Sequence, residues 1–212
     1  MPRFGAPRPG ADSTTPGGTQ KAGAQNHETL YRYPLDDEQL ESLLTNAGEC
    51  ALNWSTQDGW PVGVIHAYVW QDGRFWITCA VHRHRVAAIR RDPRVSVIVS
   101  SASCPPDSGA PGGQATAKGR CIIHDDQETK DWFYPALANK VSPDAEAAAA
   151  FVERLDSPLR VILEVIPEKW ILFDGGKMAK DTAGTLTDEE RGPLLSADAE
   201  RMPRELAKRG LA

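Results

Sequence analysis

The sequence lacks most of what would announce a familiar chemistry. No apolar run approaches the roughly 20 residues needed to cross a bilayer, which argues against a helical membrane span. Only four of its 212 residues are cysteine (Cys50, Cys79, Cys104 and Cys121), widely spaced and without a C-x-x-C pair. Neither a zinc framework nor a disulfide scaffold is expected from that pattern. Three of the four fall in strand-like apolar segments, where a free thiol behaves as a small buried hydrophobe, and the expected compartment is the reducing cytoplasm. There is no excess of positive charge. The formal net charge is −5, whereas a general nucleic-acid binder usually carries a basic footprint. A G-x-S-x-G elbow, a P-loop, an H-E-x-x-H pair and a G-x-G-x-x-G after a strand are all missing, so hydrolase, nucleotidase and Rossmann readings have no support. There is no internal repeat. The segment from Met1 to about His27 has almost no large apolar side chain. It cannot offset its ordering entropy by burial and is expected to be disordered. Its Arg3 and Arg8 precede no apolar core, so it is not read as a secretory signal.

What is present is a succession of short alternating segments, long enough for one domain with a sizeable core or at most two small ones. A helix is expected from Leu35-Asp36-Asp37-Glu38-Gln39-Leu40, with acidic residues in its first turn and Leu40, Leu43 and Leu44 as the buried stripe. Cys50–Ser55 alternates weakly. After the Asp58-Gly59 turn, Val62–Trp70 places Val62, Val64, His66, Tyr68 and Trp70 on one face and Gly63, Ile65, Ala67 and Val69 on the other. Asp72-Gly73 then leads into Arg74–Ala80, and D-G between alternating runs is a strong hairpin signal. His84–Arg91 reads as a short helix closed by Asp92-Pro93, because the residue before proline is disfavoured in α geometry. Strands are expected at Val95–Ser101 and Gln114–His124, separated by a flexible loop over Pro105–Gly113. Helices are expected at Asp126–Leu137 and from Ser142-Pro143 to Leu155, the latter capped by Ser142. Strands Leu159–Ile166 and Lys169–Phe173 are divided by Pro167. Thr187-Asp188-Glu189-Glu190 has the form of a capping box. The fold class is mainly β: a six-stranded antiparallel split β-barrel with peripheral helices. Its divisions are a disordered segment 1–28, a barrel domain 29–180 that carries the site, and a partly helical tail 181–212.

The candidate chemistry lies where the second hairpin runs into the short helix. Arg83, Arg85, Arg90, Arg91 and Arg94 crowd into Arg83–Arg94 of an otherwise acidic chain, which favours a small anion over a polymer. Thr78 at a strand end, followed by arginines at a helix start, can gather several donors round one phosphate. The competing reading is a solvated basic turn. His82 and His84 could share a strand face toward a metal, but no carboxylate or cysteine stands at ligand spacing, and His66 and His124 are only hypothetical partners. No metal site is expected. His66, in an apolar strand face, reads as a satisfied core or cleft histidine rather than a base. The tryptophans Trp54, Trp60, Trp70, Trp76, Trp132 and Trp170 could line an aromatic ligand but are mostly expected in the core or a dimer interface.

Three stretches, Trp54-Ser55-Thr56-Gln57-Asp58-Gly59-Trp60-Pro61-Val62, Val69-Trp70-Gln71-Asp72-Gly73-Arg74-Phe75-Trp76-Ile77-Thr78 and Arg85-Val86-Ala87-Ala88-Ile89-Arg90-Arg91-Asp92-Pro93-Arg94-Val95-Ser96, resemble the pyridoxamine 5′-phosphate oxidase-like split-barrel family. That resemblance implies a homodimer with two cofactor sites at its interface, a small-molecule substrate, and no nucleic acid or membrane partner. It implies FMN, ahead of the deazaflavin F420, as cofactor; some members bind haem or biliverdin. The phosphate would fall on Thr78, Arg83, His84 and Arg85, with Val64, Ile65 and His66 along the ring system and no side chain assigned as catalytic. The lysine usual in the basic turn is Arg85 here, which keeps the charge and adds a planar fork. The substrate-handling motif of true pyridoxamine phosphate oxidases is not evident around Trp170–Lys180, so vitamin B6 oxidation is not expected. Two functions meet these residues: a flavin- or deazaflavin-dependent oxidoreductase, and a non-catalytic cofactor or tetrapyrrole binder on the same barrel. A split-barrel dimer that has lost its cofactor is a third.

Overall fold

The computed structural model describes residues 32–210; the expected disorder of residues 1–28 lies outside them. Helix α1 (Asp37–Asn46) starts where the Asp36 carboxylate accepts from the Gln39 amide at 2.8 Å while Gln39 reaches back to the Asp36 N–H at 2.9 Å. That capping box satisfies two donors the helix cannot satisfy itself. Its stripe is buried as expected, with Leu43 and Leu44 fully enclosed and Leu40 packed beside them.

The strands are β1 (Glu49–Ser55), β2 (Pro61–Ala67), β3 (Val69–Gln71), β4 (Arg74–Ala80), β5 (Arg94–Ser100), β6 (Gly113–His124) and β7 (Arg160–Asp174). They form one antiparallel sheet in the order β2-β1-β5-β6-β7-β4-β3. The sheet has seven strands where a six-stranded barrel was expected, and the run expected over Val62–Trp70 breaks at Tyr68 into β2 and β3. This side chain is fully buried, and its hydroxyl donates to the Leu44 carbonyl at 2.6 Å. The break lets one half pair with β1 and the other with β4, so successive stretches of chain form the two ends of the sheet, which curls into a barrel-like surface. Asp72 and Gly73, with φ of 53° and 72°, make the tight β3–β4 turn; paired positive φ values suit the twist of a two-residue hairpin.

A second correction concerns β7, expected as two strands divided by Pro167. It is continuous because the ladder to β6 absorbs the proline in a bulge: Gly119 pairs with Pro167 and Lys118 with Lys169, leaving Glu168 unopposed. Gly119 suits that point, since an added Cβ would stand 2.2 Å from the Ile166 carbonyl oxygen.

Inside the curl lie Leu52, Phe75, Ile77, Val97 and Leu163, with the small Ala115 and Ala117 of β6 among them. Outside it, α3 (Gln127–Val141) and α4 (Ala145–Leu155) cover β3, β4 and β7 through Val69, Trp76, Phe133, Leu137 and Ile162. Helix α3 continues through Pro135 because this apolar face outweighs one lost backbone bond. Helix α4 is capped by Asp144, which accepts from the Ala147 amide at 2.8 Å, and not by Ser142.

Helix α2 (His84–Arg91) closes one end of the barrel with Val86 and Ile89. Beyond β7 follow α5 (Gly175–Thr182) and α6 (Ser196–Lys208). Between them Thr187 and Glu190 do exchange their capping-box bonds, at 3.1 and 3.3 Å, but only a turn forms before Gly192-Pro193. The segment is tied back by two backbone bonds between Arg32 and Gly192-Pro193.

The other outer face, over β2, β1, β5, β6 and β7, carries no helix layer. Register aligns Ile65, Ala51, Ile98, Thr116 and Ile171 in one row across these five strands. Ile65, Ile98 and Ile171 are 59, 37 and 54% exposed. No helix among the described residues is long and apolar enough to cross a membrane.

Candidate functional site

The basic turn divides into structural and unpaired arginines. Arg94 grips Asp92 with Nε and Nη2 at 2.9 and 2.6 Å, which holds the Asp92 carboxyl down at about 2. Arg91 donates to the Ser55 carbonyl at 2.9 Å, fastening α2 to the end of β1. Arg83 and Arg85 form no ion pair with a described residue, and neither does Arg160 at the start of β7. All three bear on Cys79, whose thiol burial raises and whose arginine neighbours pull back. Arg83, Arg85 and Arg160 thus bring unneutralised positive charge to one strand end of a chain of net charge −5. Helices α1, α3, α4 and α5 each open on an aspartate that caps them. Helix α2 opens on Arg83 with no side-chain cap, so its first-turn amides remain available to an anion.

The expected site residues fall into separate groups. Val64 and His66 face the barrel interior, because they share a face with Cys50, Leu52 and Trp54 of β1. Ile65 points the opposite way, into the exposed isoleucine row, so the three do not share one surface. Arg85 turns inward: its guanidinium carbon lies 5.6 Å from the Trp54 ring centroid, and its charge joins burial in depressing His66 to about 4. His66 is therefore neutral at physiological pH. It is not the satisfied histidine expected, for its Nε2 is buried without a partner in the protein. Thr78 lies on the outer face of β4, its hydroxyl donating to the Val161 carbonyl at 3.0 Å. Beside it are Arg160 and Tyr134; burial raises the Tyr134 hydroxyl pKa, while Arg160 and the Thr78 hydroxyl pull it back. Arg83 and His84 are exposed at the start of α2, and His84 is near the Asp58 carboxylate of the β1–β2 turn.

Two neighbours of the expected site residues, Arg160 and Tyr134, escaped sequence reading. Arg160 sits 75 residues beyond Arg85 in the chain and reaches the site only because β7 pairs with β4, Ala80 opposite Arg160. Tyr134 looked like part of a helix face, whereas Trp54 was among the tryptophans that could line an aromatic ligand. A cofactor phosphate fits the unpaired guanidinium groups and the open helix start. On the inner side, Trp54 Nε1, His66 Nε2 and Arg85 Nε are buried without a hydrogen-bond partner. Among the described residues no three or more His, Cys, Asp or Glu side chains gather as a metal site.

Fold and site thus define a curled antiparallel sheet with three arginines free of ion pairs among the described residues where β4 meets α2 and β7. The sequence profile described as pyridoxamine 5′-phosphate oxidase matches residues 37–174, and the chain belongs to that family. Its structure is similar to that of a conserved hypothetical protein from Mycobacterium tuberculosis, with a TM-score of 0.56 at 17% identity over 66% of this chain and 85% of the other. A protein of unknown function from Agrobacterium tumefaciens gives 0.50 at 16% identity over 75 and 62%. An F420 reductase gives 0.45 at 23% identity over 62 and 94%. No curated protein sequence matches the chain.

Proposed function

We propose that this protein is an FMN- or F420-dependent oxidoreductase acting on a small molecule, with FMN ahead of F420. One observation carries the reading: Arg83, Arg85 and Arg160, without ion-pair partners among the described residues, converge on Cys79 beside an uncapped helix start. A phosphate there gains charge-assisted, fork-shaped hydrogen bonds and backbone N–H groups together. The bound ring would supply hydride chemistry, and the protein orients it, dries the cleft and sets the local charge. This accounts for an anion site with no side-chain acid–base pair assigned. His66, neutral and half-buried, keeps carboxylate-free surroundings on the inner side.

The second half of the site is assigned to a second copy of the chain. The row Ile65–Ala51–Ile98–Thr116–Ile171 on the sheet face without helices is self-complementary in character and suits an isologous homodimer. Ile65, the outward member of the expected ring-lining trio, lies in that row, so an interface formed there would be built in part by a residue expected at the cofactor.

The test is the absorbance spectrum of purified protein, followed by titration with FMN and F420 under fluorescence. Saturable binding of one of them, weakened at least tenfold by Arg83→Ala or Arg85→Ala, is expected. Unchanged affinity in both variants would place the phosphate elsewhere. A second reading, a non-catalytic cofactor or tetrapyrrole (haem or biliverdin) binder, draws on the unpartnered Nε2 of neutral His66, an atom that ligates haem iron. A haem-type absorption band lost in His66→Ala would favour it.

A further inference from the structure

At the end of β4 remote from the arginines, the chain builds a second concave surface. Asp37, Leu40 and Glu41 of α1, Trp70 of β3, and Pro167 and Trp170 of β7 line a cavity of about 300 Å³ beside the β3–β4 turn. The length of β4, roughly 20 Å, separates it from Cys79 and the start of α2.

Its walls are aromatic. The Trp70 and Trp170 ring centroids lie 6.2 Å apart with 72° between the planes, so the two indoles meet as a corner. Both rings back onto Phe75, at 4.8 and 6.1 Å, and Phe75 is fully buried in the core. Core packing thus holds the two indoles while each keeps part of its surface outside. Trp70 Nε1 donates to Glu41 Oε2 at 2.8 Å, which fixes the ring and brings a carboxylate to its edge. Asp37 stands four residues before Glu41, on the same face of α1. Neither carboxylate forms an ion pair with a described residue. No lysine, arginine or histidine lines the cavity.

Charge and hydration together narrow the ligand. Indole rings attract a cation through their quadrupole, and unpaired carboxylates add to that attraction and repel an anion. A divalent metal ion needs more oxygen ligands than two carboxylates supply. A primary ammonium is compact and strongly hydrated, and indole walls would strip its water without returning hydrogen bonds. A quaternary ammonium has no N–H to satisfy, spreads its charge under a methyl surface, and fits aromatic walls and carboxylates at once.

We propose that this cavity binds the quaternary ammonium head of a small organic cation, with Trp70 and Trp170 as walls and Asp37 and Glu41 as counter-charges. The site is separate from the arginine cluster and independent of the cofactor reading.

The experiment titrates the full chain with choline and with the uncharged alcohol in which a tert-butyl group replaces the trimethylammonium, following tryptophan fluorescence. Saturable binding of choline is expected, with the uncharged isostere about tenfold weaker or worse. Glu41→Gln keeps an acceptor for Trp70 and removes the charge; it should weaken choline about threefold or more and leave the isostere unchanged. Trp170→Leu should weaken choline about tenfold. A peptide carrying trimethyllysine should bind no more tightly than choline, and a clear gain for the peptide would overturn the small-molecule assignment. No saturable response to choline, or equal affinity for choline and its isostere, would overturn the site itself. Both of those readings come from the unmodified protein, so neither needs a variant to fold.

Discussion

Arg85 shows how one side chain can cost stability and supply affinity. Its Nε is buried with no partner, while its fork is poised over Trp54 and beside His66. Arg85→Met should therefore leave the ligand-free protein as stable as before, or more stable by about 1 kcal/mol, while reducing cofactor affinity at least tenfold. Urea unfolding and fluorescence titration on one preparation check both halves. An arginine with a purely structural role would lose stability instead. His66 adds a pH signature. Its imidazole protonates at about 4 in the folded chain and near 6.5 when unfolded. The unfolded state then binds the extra proton throughout that window, so stability falls as the pH drops from 6.5 toward 4 and is unaffected above 7. Because the ring keeps some contact with water, the loss is about 1–2 kcal/mol rather than the full linkage value. His66→Asn should remove that component from the pH dependence of Tm.

At the scale of elements, capping and close approach decide what forms. The Asp36–Gln39 box starts α1, and Gln39 also donates to Asp174 at the end of β7 at 3.1 Å. Asp36→Ala should cost about 1 kcal/mol, read as a shift in the urea midpoint. Gly119→Ala should cost more, about 2–4 kcal/mol, because the clash is with a backbone carbonyl that no rotamer change can move. Nearly all of the strands and α2 were legible from alternation and D-G turns, since both are local properties. Pro167 was misread because proline ends a strand by local rules, whereas the bulge opposite Lys118 and Gly119 belongs to another strand. Tyr68 was misread for a similar reason: nothing in Val62–Trp70 marks a break that arises when each half finds a different neighbour. Thr187 and Glu190 show the reverse case, a correct local box that no buried face extends into a helix.

For the whole molecule, the sheet face without helices should govern assembly. Ile98 sits at the centre of the exposed row, so Ile98→Glu would place a charge in the middle of an isologous contact. Sedimentation should show a dimer for the unaltered chain and a monomer for the variant, with dimer affinity reduced about 100-fold or more. If the interface also completes the cofactor site, the monomeric variant should lose cofactor binding in parallel. A monomer in the unaltered chain would remove the homodimer from the proposal.

Alternating side chains, two D-G turns and the run Arg90-Arg91-Asp92-Pro93-Arg94 were enough for the sequence alone to determine a mainly β chain with a basic turn after its second hairpin. These features depend on neighbours two to five residues apart, and such neighbours are present in any conformation of the chain. Which arginines remain unpaired was decided only by tertiary structure. Arg94 is taken by Asp92 and Arg91 by Ser55, whereas Arg160 arrives from β7 to join Arg83 and Arg85. The placing of Arg85 over Trp54 was likewise decided there, because it brings a strand and a helix together. Hydrogen-bond satisfaction is a property of the assembled interior, and no local pattern records it.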